Sequence, residues 1–336
     1  MKKRPTLRDV AELAGVSRAT AARVVNGDNE LVREQTRERV LDAVNKLKYE
    51  RHAVAGSLRS DRTYMVALSI PDITNPFWPE VARGVQDTVE QAGYTVALLN
   101  SDWNADRESK HLRRMRQGQY DGLIINPTGA LLGDLTGLRL PVVILGVGEA
   151  FPALDTVGSD TRAGVQAGLE HLWELGHRRI GLIAGRSAHR RTRSRFDSYV
   201  LFHARHGLVL DDALIVEGDF TDQDGFEGMR HLLALDHPPT AVFAANDIIA
   251  LGALKAARAL NVRVPEDVSI IGMDDIHAAA LTSPALTTVA KPKYDIGVRG
   301  AHLLLQRMQG ETPERVRHDL LPCSLIIRDS TAPPAR

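Results

Sequence analysis

Cysteine is almost missing from this chain: Cys323 is the one residue of its kind in 336. An internal disulfide and a cysteine-built zinc site are therefore excluded. Its position in the run Leu320–Ile327 predicts a buried structural thiol. No apolar stretch is long enough to span a bilayer. The basic start, Met-Lys-Lys-Arg-Pro-Thr, is not followed by the apolar core of a secretory signal. A cytoplasmic protein with no membrane partner is expected. Signatures of catalysis are lacking too. There is no Gly-x-Gly-x-x-Gly after a strand, no Gly-x-x-x-x-Gly-Lys, no Gly-x-Ser-x-Gly and no His-Glu-x-x-His. His171 and His177 flank a helix end and read as structural. An enzyme is not expected, nor a metal or cofactor.

Net charge is also absent, with 42 Lys+Arg against 42 Asp+Glu. That balance conceals two unlike parts. Residues 1–62 hold 14 basic against 9 acidic side chains, and the rest hold 28 against 33. A basic module on an acidic body confines attraction for phosphate to one end.

Within the basic module, Thr6–Asn26 spells two short helices around a tight turn. Thr6 and Asp9 are spaced for a capping box. Leu7, Val10, Ala11 and Ala14 make one apolar stripe. Gly15 suits the left-handed residue that ends a helix. Ser17 caps the second helix, whose buried side is expected to be Thr20, Ala21 and Val24. Its other side presents Arg18, Ala19 and Arg23. A helix-turn-helix lays such a face in the DNA major groove, where a guanidinium bonds a guanine edge twice. A third helix is predicted over Arg33–Leu47, with Val40, Val44 and Leu47 in register, Leu41 beside them and a poor cap at Arg33.

From Tyr64 onward, short buried strands alternate with amphipathic helices. Strands are predicted at Met65–Ile70, Thr95–Leu99, Gly122–Asn126, Val142–Leu145, Ile180–Ala184, Ala241–Ala245 and Ser269–Gly272. Helices are predicted at about Pro79–Ala92, Arg107–Gln117, Arg162–Leu175, Ser194–His206, Asp222–Leu235, Ile248–Leu260 and Ile296–Met308. This alternation makes parallel sheets covered by helices. Roughly 270 residues exceed one open sheet, so two lobes are expected. Ligands of such folds lie beyond the carboxyl ends of the strands. The candidates there are Asn75 for a hydroxyl, Phe77 and Trp78 for a sugar face, then Asp160, Arg195, Asn246-Asp247 and Asp274-Asp275. Carboxylates and guanidinium groups together suit a polyol, although each Asp or Asn alone also makes an ordinary cap.

The order Leu-Arg-Asp-Val-Ala-Glu-Leu-Ala-Gly-Val-Ser (residues 7–17), Arg23-Val24-Val25-Asn26-Gly27, Thr36-Arg37-Glu38-Arg39-Val40 and Leu47-Lys48-Tyr49 resembles the LacI/GalR family of transcriptional regulators, and the likeness covers nearly the whole chain. It implies a helix-turn-helix headpiece over 1–50, a hinge over 51–62 and an effector-binding, dimerising body over 63–330. The body would be two Rossmann-like parallel-sheet lobes, as in periplasmic binding proteins, joined by three crossovers. One lobe would take about 64–161 and 292–321, the other about 162–291 and 322–329, leaving 331–336 as a disordered tail. The resemblance implies a homodimer that reads near-palindromic operator DNA and is controlled by a small-molecule effector, with repression the expected outcome. DNA contacts would fall to Thr6, Ser17, Arg18, Ala19 and Thr20, then Arg23, Asn26 and Tyr49, with His52, Ala55 and a minor-groove wedge at Leu58 in the hinge. Effector contacts would fall to Asn75, Asp160, Arg195, Asp247 and Asp274.

The chain departs from the family in places. Arg51-His52 replace the usual Pro-Asn before the hinge, Ser198 replaces a glycine, and Lys291 stands where glutamine is usual. With the basic approach His189–Arg195, Lys291 and Arg193 suggest an effector bearing carboxylate or phosphate; a solvated charge run is the plainer account. Two other readings stay open: a sugar-binding protein without a DNA role, and a purine- or nucleoside-responsive regulator of the same architecture.

Overall fold

The structure is a computed structural model that describes residues 5–25, 32–49, 62–146, 148–185, 193–310 and 315–335. Asn26 and the expected hinge residues His52, Ala55 and Leu58 lie outside these. The chain forms two compact units, Met1–Tyr64 and Met65–Arg336.

The first unit holds α1 (Leu7–Ala14), α2 (Arg18–Val25) and α3 (Glu34–Leu47). The capping box is present: Thr6 N donates to Asp9 Oδ2 at 2.7 Å, and Asp9 N donates to Thr6 Oγ1 at 3.4 Å. Gly15 turns the chain at φ 64°, a conformation that costs glycine nothing. Thr20 N donates to Ser17 Oγ at 3.1 Å and caps α2. Val10, Ala11, Ala14, Ala21, Val24, Val40 and Ala43 form the small core. Two expected core positions are corrected. Thr20 is only half-buried, its hydroxyl 2.9 Å from Ser17 Oγ, and Ala22 is buried instead. Leu41 is 41% exposed, and Ala43 takes its place. On α3 the i, i+3, i+4, i+7 series is Val40, Ala43, Val44, Leu47, and Leu41 sits one residue off that stripe. Arg33 supplies no side-chain cap, as expected.

The second unit contains two six-stranded sheets. The first consists of β1 (Met65–Ile70), β2 (Thr95–Asn100), β3 (Gly122–Ile125), β4 (Val142–Leu145), β5 (Asp155–Ser159) and β11 (His318–Leu321). The second consists of β6 (Ile180–Gly185), β7 (Ile215–Gly218), β8 (Ala241–Ala244), β9 (Ser269–Asp274), β10 (Thr287–Ala290) and β12 (Ser324–Ile326). Their orders are β11-β5-β4-β3-β1-β2 and β12-β10-β9-β8-β6-β7, the same winding twice. All pairings are parallel except β10 with β12. Burial on both faces explains continuous apolar runs such as Val142–Leu145. The winding reverses between β1 and β3 and again between β6 and β8, and such switch points open a crevice at the strand ends.

Helices α4 (Phe77–Gln91), α5 (Ala105–Met115), α6 (Leu132–Thr136) and α11 (Lys293–Met308) belong with the first sheet. Helices α7 (Thr161–Glu174), α8 (Arg193–Arg205), α9 (Asp222–Leu233) and α10 (Asp247–Ala259) cover the second. The chain passes between lobes after β5, after β10 and between β11 and β12. These are the three expected crossovers.

Five strands were not expected from the pattern: β5, β7, β10, β11 and β12. β5 is buried yet carries Asp155, 3% exposed, whose carboxylate accepts from Arg307 Nε at 2.7 Å and Nη2 at 2.8 Å. The expected free tail is corrected as well. His177 Nε2 lies 2.9 Å from the Ala332 carbonyl, and His171 Nε2 lies 3.0 Å from Thr331 Oγ1. His177 also meets Thr240 Oγ1 at 2.9 Å, the structural role expected of it. Cys323, expected to be buried, is half-buried at the third crossover. Burial pushes its thiol up, and the nearby Lys291 ammonium opposes that.

Candidate functional site

In the second unit a cavity of about 700 Å³ opens at the strand ends of both lobes. Eight of the ten expected effector residues line it: Asn75, Phe77, Trp78, Asp160, Arg195, Asn246, Asp274 and Lys291. Each lies at or just past a strand end or at a helix start. Asn75 follows β1 and accepts from Phe77 N at 3.0 Å. Asp160 caps α7 through Ala163 N at 2.9 Å, and Asn246 caps α10 through Ile249 N at 2.8 Å. Phe77 and Trp78 are 9% and 7% exposed and meet edge to face at 4.9 Å, so they form cavity wall and core together.

Asp247 is the exception. It does not line the cavity but is fully buried, accepting from Ile276 N at 2.8 Å and Thr288 Oγ1 at 2.6 Å. Burial, then repulsion from Asp274, pushes its carboxyl up to about 7. It braces the loop after β9 rather than facing a ligand. Arg193 is the first residue of α8, and its side chain lies outside the described residues.

Three charged groups meet in the wall. Lys291 Nζ lies 3.6 Å from Asp274 Oδ1 and 4.8 Å from the Phe77 ring centroid. The Lys291 side chain is 11% exposed. Arg195 is half-buried, its guanidinium carbon 5.6 Å from the Phe220 ring. Burial draws both cations below their ordinary values, with Asp274 acting against it. Asp274 holds φ 120°, a backbone conformation side chains rarely adopt, and such strain gathers at functional sites. Among the described residues, Arg195 Nε and Asp274 Oδ1 are buried without a hydrogen-bond partner.

Pattern reading missed Trp103, Asn126 and Phe220 in the lining. Trp103 follows β2 and Phe220 follows β7, and their rings stack between the lobes at 6.0 Å and 17°. A Cβ at Gly185 would overlap the Phe220 ring, so glycine at the end of β6 lets that ring lie over the strand. Both aromatics sit at left-handed backbone, φ 55° and 67°. An aromatic within three residues of a strand end was the available signal.

In the first unit, α2 turns Arg18, Ala19 and Arg23 to solvent. Three ion pairs join other charges there: Arg8 with Glu12 at 2.8 Å, Arg37 with Glu34 at 3.0 Å and Lys46 with Asp42 at 2.7 Å. Arg18 and Arg23 have no acidic partner among the described residues. Two unpaired guanidinium groups on one exposed helical face suit base edges and phosphates. Thr6 and Ser17 are occupied with capping, and the Thr20 hydroxyl lies 2.9 Å from Ser17 Oγ. Tyr49 is half-buried against the small core.

Comparison with known proteins accords with both units. The family "Bacterial regulatory proteins, lacI family" matches residues 6–52, and "Periplasmic binding protein-like domain" matches residues 169–331. The HTH-type transcriptional repressor PurR of Photobacterium profundum is 33% identical over 97% of this chain and 98% of its own. The ribose operon repressor of Halalkalibacterium halodurans is 34% identical over 97% of each. Among solved structures, a Lac repressor dimer bound to operator and the anti-inducer ONPF superposes with TM-score 0.88 at 28% identity, covering 98% of this chain and 100% of that one. Two architectures that recur together in those relatives thus recur together here, end to end, and the chain belongs to the LacI family of bacterial regulatory proteins.

Proposed function

We propose that this chain is a homodimeric transcriptional repressor of the cytoplasm. It reads a near-palindromic operator through α2, and a small molecule held between the lobes controls that reading. The carrying observation is one chain with two unlike binding surfaces: a helix-turn-helix with unpaired Arg18 and Arg23, and a ligand-sized cavity at the switch points of two sheets. A cavity wall drawn from both lobes makes their angle depend on occupancy. Two headpieces whose spacing follows that angle fit a palindrome in one state better than in the other. Coupling of this kind is reciprocal, so operator must also change effector affinity. Arg195, Lys291 and Asp274 beside Asn75 and Asn246 favour a polyhydroxylated ligand, a sugar or sugar derivative. A transcriptional regulator CelR solved with cellobiose, 32% identical, and the ribose operon repressor point the same way.

The test is anisotropy of labelled DNA recovered by selection from random sequence. A specific complex should be about 10³-fold or more tighter than random DNA at the same salt. A bound effector should change that affinity by about 5–150-fold. DNA binding with no sequence preference, or tight ligand binding that leaves operator affinity unmoved, overturns the reading.

A flat heterocycle is the second reading, favoured by the near-parallel Trp103 and Phe220 rings. Nucleobase binding abolished by Phe220→Ala would select it over a sugar.

A further inference from the structure

Resting on the regulator reading above, we infer that the effector is an acid, a monosaccharide-sized molecule whose carboxylate or phosphate is taken by Lys291 and Arg195 while a hydroxyl donates to Asp274.

Charge in this wall is unmatched. Lys291 and Arg195 bring two cations to the same buried wall of the cavity, and Asp274 brings the one carboxylate aimed at them. Lys291 Nζ stands 3.6 Å from Asp274 Oδ1, too far for a hydrogen bond. Asp274 is 4% exposed, so water does not compensate. Neighbouring carboxylates do not supply the missing charge. Asp247 is turned to Thr288 and Ile276, Asp275 is taken by Arg328 Nη2 at 2.6 Å, and Asp160, half-buried in the same lining, caps α7 through Ala163 N at 2.9 Å. Lys293 serves a different place, donating to the Asp274 and Asp275 carbonyls at 2.8 and 2.7 Å. Glu149, Arg162 and Asp197 reach the cavity only from its exposed rim.

Two polar atoms in this cluster are left without partners, Arg195 Nε and Asp274 Oδ1. Buried groups of that sort are rare, and two of the five among the described residues fall in this one wall. The two demands differ: a donor seeks an acceptor, and an acceptor seeks a donor. A neutral polyol meets both but leaves one cation in excess once it displaces water from the wall. An acidic group meets Arg195 and the excess charge together, through charge-assisted hydrogen bonds. A second hydroxyl of the same molecule then serves Asp274. The Phe77 ring beneath the ammonium holds it from the apolar side without neutralising it. The acid pairs with Arg195, beside Lys291, and needs nothing from Arg193.

Calorimetric titration of the full chain with matched pairs tests this: D-glucuronate and D-glucose, D-galacturonate and D-galactose, ribose 5-phosphate and D-ribose. One acid should bind between about ten- and a hundredfold more tightly than its neutral partner, the range a hydrogen bond to a charged group commands. The carboxylate and phosphate arms distinguish the two kinds of acid. Lys291→Gln should erase that margin, bringing the affinities of acid and neutral partner together, and Lys291→Arg should retain the margin. Melting of each variant in the absence of ligand checks the fold. The inference is overturned by a neutral partner that binds as tightly as its acid, by a margin that survives Lys291→Gln, or by no acid binding up to about 10 mM. Operator binding is scored separately. Failure to bind specific DNA refutes the regulator reading and leaves the acid-to-neutral ratio standing, whereas DNA binding with a preference for neutral sugars refutes the charge argument alone.

Discussion

Substituting alanine for Gly252 sets two effects of opposite sign against each other. Helix propensity favours alanine inside α10 by up to about 1 kcal/mol. The space does not. A Cβ at Gly252 would overlap the Asp222 carbonyl oxygen and press on Phe226 N, both backbone atoms of α9. Gly225 of α9 faces the Ile249 carbonyl in the same way, so the two helices touch backbone to backbone. A rotamer cannot relieve that overlap, and the helices must separate. Overpacking of a fixed core costs about 1–3 kcal/mol, and rigid neighbours push toward the upper end. The net expectation for Gly252→Ala is a loss of about 1–2 kcal/mol. The control is Gly133→Ala in α6, where nothing lies within 4 Å of the added methyl. There the expectation is a gain of about 0.4–1 kcal/mol, from a stiffer unfolded chain. Urea unfolding followed by circular dichroism reads both. Because α10 begins beside Asn246 and α9 follows Phe220, Gly252→Ala should also weaken effector binding. If the two variants change stability with the same sign, the close-contact argument is wrong.

Arg18→Ala should cost about 1–3 kcal/mol on operator DNA and relax preference at one base pair per half-site; an equal loss on random DNA would mean that Arg18 contacts only phosphate. The Asp247 carboxyl titrates near 7 when folded against 3.8 as the ordinary value, so the folded chain holds that proton longer. Stability from this group is complete below the unfolded pKa and drains as pH rises toward 7. Asp247→Asn should therefore gain on the native chain between about pH 4 and 7, and parallel stability curves would contradict the assignment. Deleting residues 330–336 removes the Ser330 Oγ bond to the Ile270 carbonyl at 2.6 Å, the Thr287 N bond to Ser330 Oγ at 2.8 Å and the Ile270 N bond to the Ser330 carbonyl at 2.8 Å. At about 1 kcal/mol each these three bonds come to about 3 kcal/mol, and the bonds of Thr331 and Ala332 to His171, His177 and Ser269 go with them, so the truncation should cost more than about 3 kcal/mol; an unchanged melting point would restore the free-tail view.

The central strands and all seven long helices of the body were legible because burial on two faces leaves an unbroken apolar run, and burial on one face leaves a helical stripe. β5 and β10 escaped for the opposite reason. Asp155, Thr156, Thr287 and Thr288 are buried polar residues whose partners come from far along the chain: Arg307 for Asp155, His318 for Thr156, Asp247 for Thr288. Local pattern cannot reveal a compensation made 41 to 162 residues away. β11 alternates exposed and half-buried positions and β12 has no fully buried residue; both lie at the edges of the sheets, where polar side chains are tolerated.

The site was legible for a different reason, and its limits follow from it. A cap and a ligand contact at a strand end were weighed as competing explanations of Asn75, Asp160 and Asn246. They turn out to be compatible. In a doubly wound sheet the helix that follows a strand begins at the crevice, so the residue that caps it also lines the crevice. Asp160 and Asn246 do both. Residue type and position therefore cannot separate scaffold from site; unmet hydrogen bonding can. Asp247 has the composition of a ligand contact, but Ile276 N and Thr288 Oγ1 occupy it. Asp274 has the same composition, yet one of its oxygens has no donor. The two aspartates differ in what the fold leaves unpaired, and on that ground we propose that specificity rests with Asp274 and the two cations facing it.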